Sequence, residues 1–295
     1  MVTMAMITKD SLTHYGEEVL SRVLSSSLQV PYKTFLLVDD SRDKTAEFIK
    51  KFIEESGREF ILLHSNVPKP TRGIARQSAI DFFLQNTSDQ WIMFLDDDVI
   101  LRDGWWDEAR GYMEDSRVGL IWGVELAEEW KDRLRYLQIR GVDPVEYSIQ
   151  QFEIRGGLHD TLIRRVAIEG IKIPPWLNVY EDAWIKKYVE CKGFEYRIVR
   201  TGAIHLRREG SSRYSREDFE KAVEVDAMLK LQKISWFSVF KTLFGLPAYI
   251  YYGFRSGVNG LEMWRSKVMY RLKWKIASRK YREEPCKILL KYSGD

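Results

Sequence analysis

Within its first hundred residues the chain alternates between short apolar runs and longer amphipathic ones. Residues 2–7 (VTMAMI), 33–38 (KTFLLV), 59–64 (EFILLH) and 91–95 (WIMFL) read as strands. Between them, residues 16–28, 44–56 and 73–86 read as helices. In the second of these, Phe48, Ile49, Phe52 and Ile53 share one face and Gly57 stops the run. Strands that alternate with helices of this length build βαβ units, so the expected fold is a mostly parallel sheet flanked by helices. Such sheets bind ligands at the carboxyl ends of their strands.

Beyond residue 100 the pattern loosens. Residues 118–124 read as a strand, GGLHDTLIRRVAIEG as a strand or turn leading into a short helix, residues 180–193 as a helix, and EYRIV as a strand. No repeat or low-complexity segment is visible. The overall charge of +3 hides an asymmetry: residues 230–295 carry fourteen Lys and Arg against four Asp and Glu, leaving residues 1–229 at −7. Two parts are therefore expected, a domain at 1–229 and a basic, aromatic-rich helical region at 230–295.

In that region, residues 242–254 form only thirteen uncharged positions, broken by Gly245 and Pro247, too few for the ~20 that span a bilayer. Leu261, Trp264, Val268, Leu272 and Ile276 recur at helical spacing among basic residues. This reads as an interfacial helix on an anionic membrane surface, or as a helix packed on its own domain or on a second subunit. Basic residues mixed with aromatics also suit nucleic acid, but the apolar segment before them favours membrane, so no nucleic-acid partner is expected. Cys191 and Cys286 match no zinc or redox spacing and read as reduced thiols. With no signal peptide in view, the expected location is the cytoplasmic side of the cell membrane, peripheral or monotopic.

The chemistry-bearing residues cluster at strand ends. Asp96, Asp97 and Asp98 follow the fourth strand directly. Their repulsion is relieved by a divalent cation, Mg2+ or Mn2+, which would also bridge a diphosphate; the plain alternative is a solvated acidic loop. Asp39 and Asp40 end the second strand, where a carboxylate accepts hydrogen bonds from a base or ribose. Arg76, one turn into the third helix, suits the strand-end aspartates or a phosphate, and Gly73 would let backbone approach a ligand.

The order MITKD, VDDSRDKT, GIARQ, MFLDDD, RGGLHDTLIRR and YEDAWI, over residues 2–205, resembles the family 2 glycosyltransferases of the GT-A type. Gln77 stands where that family has Asn, and ITKD ends the first strand in place of a Thr-x-Asn ending. The resemblance implies a GT-A Rossmann-like sheet and an inverting transferase using a nucleotide-diphosphate sugar of UDP or GDP type. It implies that Thr8 and either Asp39 or Asp40 contact the nucleotide. It makes Asp98 the main metal ligand, Asp96 a ribose or metal contact, and Asp97 a residue behind them. His205 would complete the metal shell, and Arg207 would close over the diphosphate.

The same resemblance makes Asp182, beside Glu181, the general base, and a carboxylate at a helix start is suited to take a hydroxyl proton. His159 and Asp160 would line the acceptor side. The expected acceptor is lipid-linked or a glycan. Transfer to a polyprenyl phosphate is the nearest alternative, and there a base is superfluous. A haloacid-dehalogenase-like phosphatase leaves VDDSRDKT unexplained, and a non-catalytic membrane-binding protein predicts no metal-dependent nucleotide binding.

Overall fold

The computed structural model describes residues 1–126, 131–206 and 215–294. Its first part runs β1 (Val2–Thr8), α1 (Ser11–Ser27), β2 (Tyr32–Asp39), α2 (Thr45–Glu55), β3 (Glu59–Leu63), α3 (Arg72–Asn86) and β4 (Trp91–Leu95). Next come β5 (Val99–Leu101), α4 (Trp105–Met113), β6 (Val118–Leu126), α5 (Lys131–Ile139), α6 (Pro144–Arg155), β7 (Asp160–Arg164) and α7 (Arg165–Ile168). Then follow α8 (Glu181–Cys191), β8 (Glu195–His205), α9 (Arg216–Leu229), α10 (Trp236–Leu243), α11 (Leu246–Ser256), α12 (Gly260–Ala277) and α13 (Pro285–Ser293).

The strands form one sheet in the order β3-β2-β1-β4-β7-β6-β8-β5. β1 pairs in parallel with β2 and β4, and β2 with β3. β7 runs antiparallel between β4 and β6, while β6 and β8 are parallel. The sheet is therefore mixed and mostly parallel, flanked by helices, with further helices at its C-terminal end. Chain order reverses between β1 and β4, because β2 and β3 were laid on one side and β4 on the other. The crevice opened by that reversal lies beyond the carboxyl ends of β1, β2 and β4.

Side-chain alternation splits the interior in two. Ala5, Leu36 and Val38 face a core completed by α3 and α8, with Ala79, Phe83 and Trp184. Met4, Met6, Phe35 and Leu37 face another built on α1, α2 and α4, with Leu24, Ile53 and Trp105. Successive residues of one strand thus serve opposite layers, which is why these runs are apolar throughout. The expected start of the first helix at Gly16 is corrected: α1 begins five residues earlier and breaks at Gly16, whose φ of 81° only glycine holds without strain.

The C-terminal helices pack back on the domain. Asp226 of α9, fully buried, accepts from the hydroxyl of Tyr270, from Trp274 Nε1 (3.1 Å), and from Gln232 N (3.1 Å) and Nε2 (2.7 Å). One carboxylate therefore ties α9 to α12. The stripe expected to face a membrane is divided: Leu261 and Ile276 are exposed, and the three positions between them turn to protein. Val268 is buried, Trp264 donates its indole N–H to Thr242 O (2.8 Å), and Leu272 packs on Val223 and Val239. Among the described residues no helix is long and apolar enough to cross a membrane.

The reading of two separate thiols is also corrected. Cys191, at the end of α8, and Cys286, at the start of α13, form a disulfide with Cα atoms 5.3 Å apart. Their separation of 95 residues hid a contact that exists only because α13 returns to lie on α8, where Tyr292 meets Trp184 edge-on at 5.4 Å.

Candidate active site

The crevice at the strand reversal holds two adjoining cavities. The first, about 610 Å³, is lined from β1 by Thr8 and from the following loop by Lys9 and Asp10. Asp40, Arg72, Arg76 and all three residues of the Asp96–Asp98 triplet complete it, with His14, Tyr15, Lys69 and Asn178. The second, about 460 Å³, is lined by Glu181 and Asp182 of α8, His159, His205, Trp122, and the α6 residues Ser148, Gln151, Phe152 and Arg155. Arg72, Arg76 and Asp96 line both. A molecule in one cavity therefore meets a molecule in the other at that junction.

The triplet does not splay into water; each carboxylate has its own partner. Asp96 Oδ1 accepts from Arg76 Nη2 at 2.6 Å. Burial raises the Asp96 carboxyl, but the Arg76 guanidinium outweighs this and holds it below the usual carboxylate range. Asp97 turns inward to the Ser11 hydroxyl, and burial, reinforced by Asp98, pushes it up to about 7. Asp98 accepts from Tyr15 Oη (2.7 Å) and lies 3.2 Å from His205 Nε2. His205 Nδ1 in turn lies 3.2 Å from Glu125 Oε1. Burial opposes a charged imidazole here, yet Asp98 and Glu125 push His205 up to about 10. Arg76 is 2 % exposed, lies over the Phe94 ring at 4.6 Å, and keeps Nε and Nη1 without hydrogen-bond partners among the described residues.

The other predicted residues divide into those at the cavities and those behind them. Thr8 gives its hydroxyl to Asp39, which is buried and also takes that of Ser41. Asp39 thus braces the loop, while Asp40 reaches the first cavity, its carboxylate held by the backbone N–H (3.1 Å) and hydroxyl of Ser65. Asp160, expected on the acceptor side, is fully buried, 2.8 Å from Trp105 Nε1 and 2.6 Å from His159 Nδ1. Only His159 of that pair lines a cavity, its Nε2 accepting from Trp122 Nε1 (3.2 Å). Asp160 therefore lies behind the imidazole and does not line the second cavity. Arg207 lies outside the described residues.

Gly73 serves packing and not a ligand: a Cβ there would stand 2.8 Å from Leu177 O and 2.9 Å from Pro174 O. It lets α3 press on the loop that leads to α8. Glu181 is buried with Arg72 at 4.0 Å, and desolvation, then its neighbour Asp182, push it up to about 7. Asp182 is half-buried, takes the N–H of Ala183 (2.8 Å), and is raised by burial against the pull of Arg155.

Several lining residues escaped sequence reasoning. Tyr15 and Lys9 sit just past a recognised strand and carry no local signature. Ser148, Gln151 and Arg155 recur at i, i+3 and i+7 on α6, a polar stripe that helical periodicity could have revealed. Tyr270 reaches the second cavity from the C-terminal helices, 3.3 Å from Tyr180 Oη.

A divalent ion in this crevice would draw on these donors. Among the described residues no group of three or more His, Cys, Asp and Glu forms a metal cage. His205 points its two nitrogens at different carboxylates, so the three groups share no common centre. A hard ion at a phosphate site, however, takes only one or two carboxylates and fills its shell with phosphate and water. Asp98 Oδ1 and His205 Nε2, 3.2 Å apart, have roughly the ~3 Å spacing of adjacent ligands at ~2.1 Å from one ion. The donors fit.

The family model for glycosyl transferase family 2 matches residues 6–166. No curated protein sequence matches the chain significantly. Among solved structures, S. aureus TarS 1-349 in complex with UDP-GlcNAc superposes with a TM-score of 0.58 at 16% identity, covering 94% of this chain and 79% of that one. The same TarS segment without that ligand gives 0.57 at 13% identity, over 94% and 80%. Glucosyl-3-phosphoglycerate synthase from Mycobacterium tuberculosis, in complex with Mn2+, UDP and glucosyl-3-phosphoglycerate, gives 0.45 at 14% identity, over 70% and 72%.

Proposed function

The chain belongs to glycosyl transferase family 2, and from that premise we propose that it transfers a sugar, with inversion, from a nucleotide-diphosphate donor to a hydroxyl of a membrane-associated acceptor. The observation that carries this is the junction of two cavities at Arg72, Arg76 and Asp96, with a half-buried carboxylate, Asp182, on one side only.

The donor occupies the cavity at the ends of β1 and β4. Asp40 and Thr8 receive the nucleoside, UDP being the first to test because TarS is solved with UDP-GlcNAc. Asp98 and His205 would hold Mg2+ or Mn2+ against the diphosphate, and the ion would offset the charge gathering on the leaving group. Arg76 fixes Asp96 and so shapes the junction. The acceptor hydroxyl enters from the second cavity, and Asp182 takes its proton. The acceptor oxygen bonds to the anomeric carbon as the bond from that carbon to the diphosphate oxygen breaks. Attack from the side opposite the leaving group inverts the centre. A phosphate acceptor would need no base, so Asp182 favours a hydroxyl, on a lipid-linked molecule or a glycan.

We place the enzyme at the cell membrane through its C-terminal helices, on the cytoplasmic side. There the Cys191–Cys286 disulfide requires a chain that stays oxidised inside the cell, as intracellular proteins of hyperthermophiles do. Titration calorimetry with UDP, GDP and TDP, with and without Mn2+, tests the donor assignment. One nucleotide should bind only with metal, and Asp98→Asn should abolish that binding. Indifference to all three overturns the reading.

A further inference from the structure

The inference drawn here deepens the membrane reading just given and rests on it. α10 and α11 each have an inner face on α12. Val239 and Thr242 are buried, Ser238 O and Thr242 Oγ1 accept from Arg271, and Gly253 presses so close to Gly260 that a Cβ would stand 2.6 Å away. On the outer faces stand large apolar side chains. Phe237, Phe240 and Phe244 follow at i, i+3 and i+7, and Phe244 is 82% exposed. Ile250, Tyr251 and Phe254 follow at i, i+1 and i+4, and Phe254 is 88% exposed. Isolated exposed apolar residues are ordinary, but two successive helices presenting such stripes away from one shared support are an interaction surface.

Charge selects the partner. Between Asp226 and Glu262 the chain carries no carboxylate, and α10 and α11 themselves carry two cations, Lys241 and Arg255, and no anion. A symmetric pairing of two copies through this face would set cations against cations. An anionic lipid surface accepts both the phenyl rings and the ammonium groups. We propose that the outer face of α10 and α11, and not the α12 stripe, is the membrane-seating surface, and that its partner is an anionic bilayer.

The test is sedimentation of the full chain with phosphatidylcholine vesicles, with and without phosphatidylglycerol. The wild type should bind the phosphatidylglycerol vesicles and let go as salt rises. Phe237→Ser, Phe244→Ser and Phe254→Ser should each weaken binding about tenfold, and together roughly a thousandfold. These side chains are solvent-facing, so the melting temperature and nucleotide binding should stay unchanged. If the wild type binds neither vesicle, the membrane reading itself falls. If it binds and the triple variant binds equally well, the face assignment falls while the membrane reading stands. A wild-type dimer that the triple variant converts to monomer would show a protein interface and overturn the proposal.

Discussion

Asp226→Ala would test whether the C-terminal helices are an integral part of the enzyme. The carboxylate is fully buried and accepts from Tyr270, Trp274 and twice from Gln232. Its removal strands the buried Trp274 indole, and an unmatched buried donor costs about 1–3 kcal/mol, while Tyr270, half-buried at the second cavity, keeps Tyr180 Oη as a partner. Gln232 is only partly buried and recovers water. Against this, burial raises the Asp226 pKa despite those bonds, so the charge is held at some expense that the variant escapes. A net loss of about 2 kcal/mol follows, which lowers the melting temperature by roughly 3 °C for a chain of this size. Calorimetric melts of both proteins measure it. Asp226→Asn, which retains one acceptor oxygen, should fall between them. Tyr270 lines the second cavity, so sugar transfer should drop further than nucleotide binding. A shift under about 2 °C would refute this account. So would a wild type that melts in two steps, with the variant changing only the smaller.

Further outcomes follow from the site. Asp182→Asn should cut transfer by about 10³-fold with nucleotide binding unchanged, as measured by product formation and calorimetry; little change would favour a phosphate acceptor. The rate should fall as pH drops, at a pH above the ordinary carboxylate range, because burial raises Asp182 and also its neighbour Glu181, and a protonated carboxyl cannot take the hydroxyl proton. The limb belongs to the pair, so Glu181→Gln should move it toward lower pH; a profile flat from pH 5 to pH 8, values bracketing the ordinary His range, would contradict the assignment.

Residues 1–95 were largely legible because each strand there is a solid apolar run and each intervening helix has a clear face. Legibility failed where pairing and not pattern makes the element. β5 is only three residues long and exists because it pairs antiparallel with β8. β8 extends six residues past EYRIV, through Thr201 and Gly202, because β6 and β5 both supply partners there. The acidic clusters stood out since like charges crowded at strand ends demand an explanation. Which of them faces the cavity did not, since Asp39 and Asp40, adjacent in sequence, point to different partners. Ser148, Gln151, Arg155 and Tyr270 arrive from helices that pack late in the chain, and no local rule connects them to the triplet.

The partition between the two chambers is little more than a single turn of α3 and the aspartate it grips. Arg72 and Arg76 look into both sides. On the proposed assignment of donor and acceptor, retooling for a new acceptor cannot begin there, since any change would disturb the donor as well. Diversification would be left to the far wall, α6, whose Ser148, Gln151 and Arg155 line the second cavity and not the first.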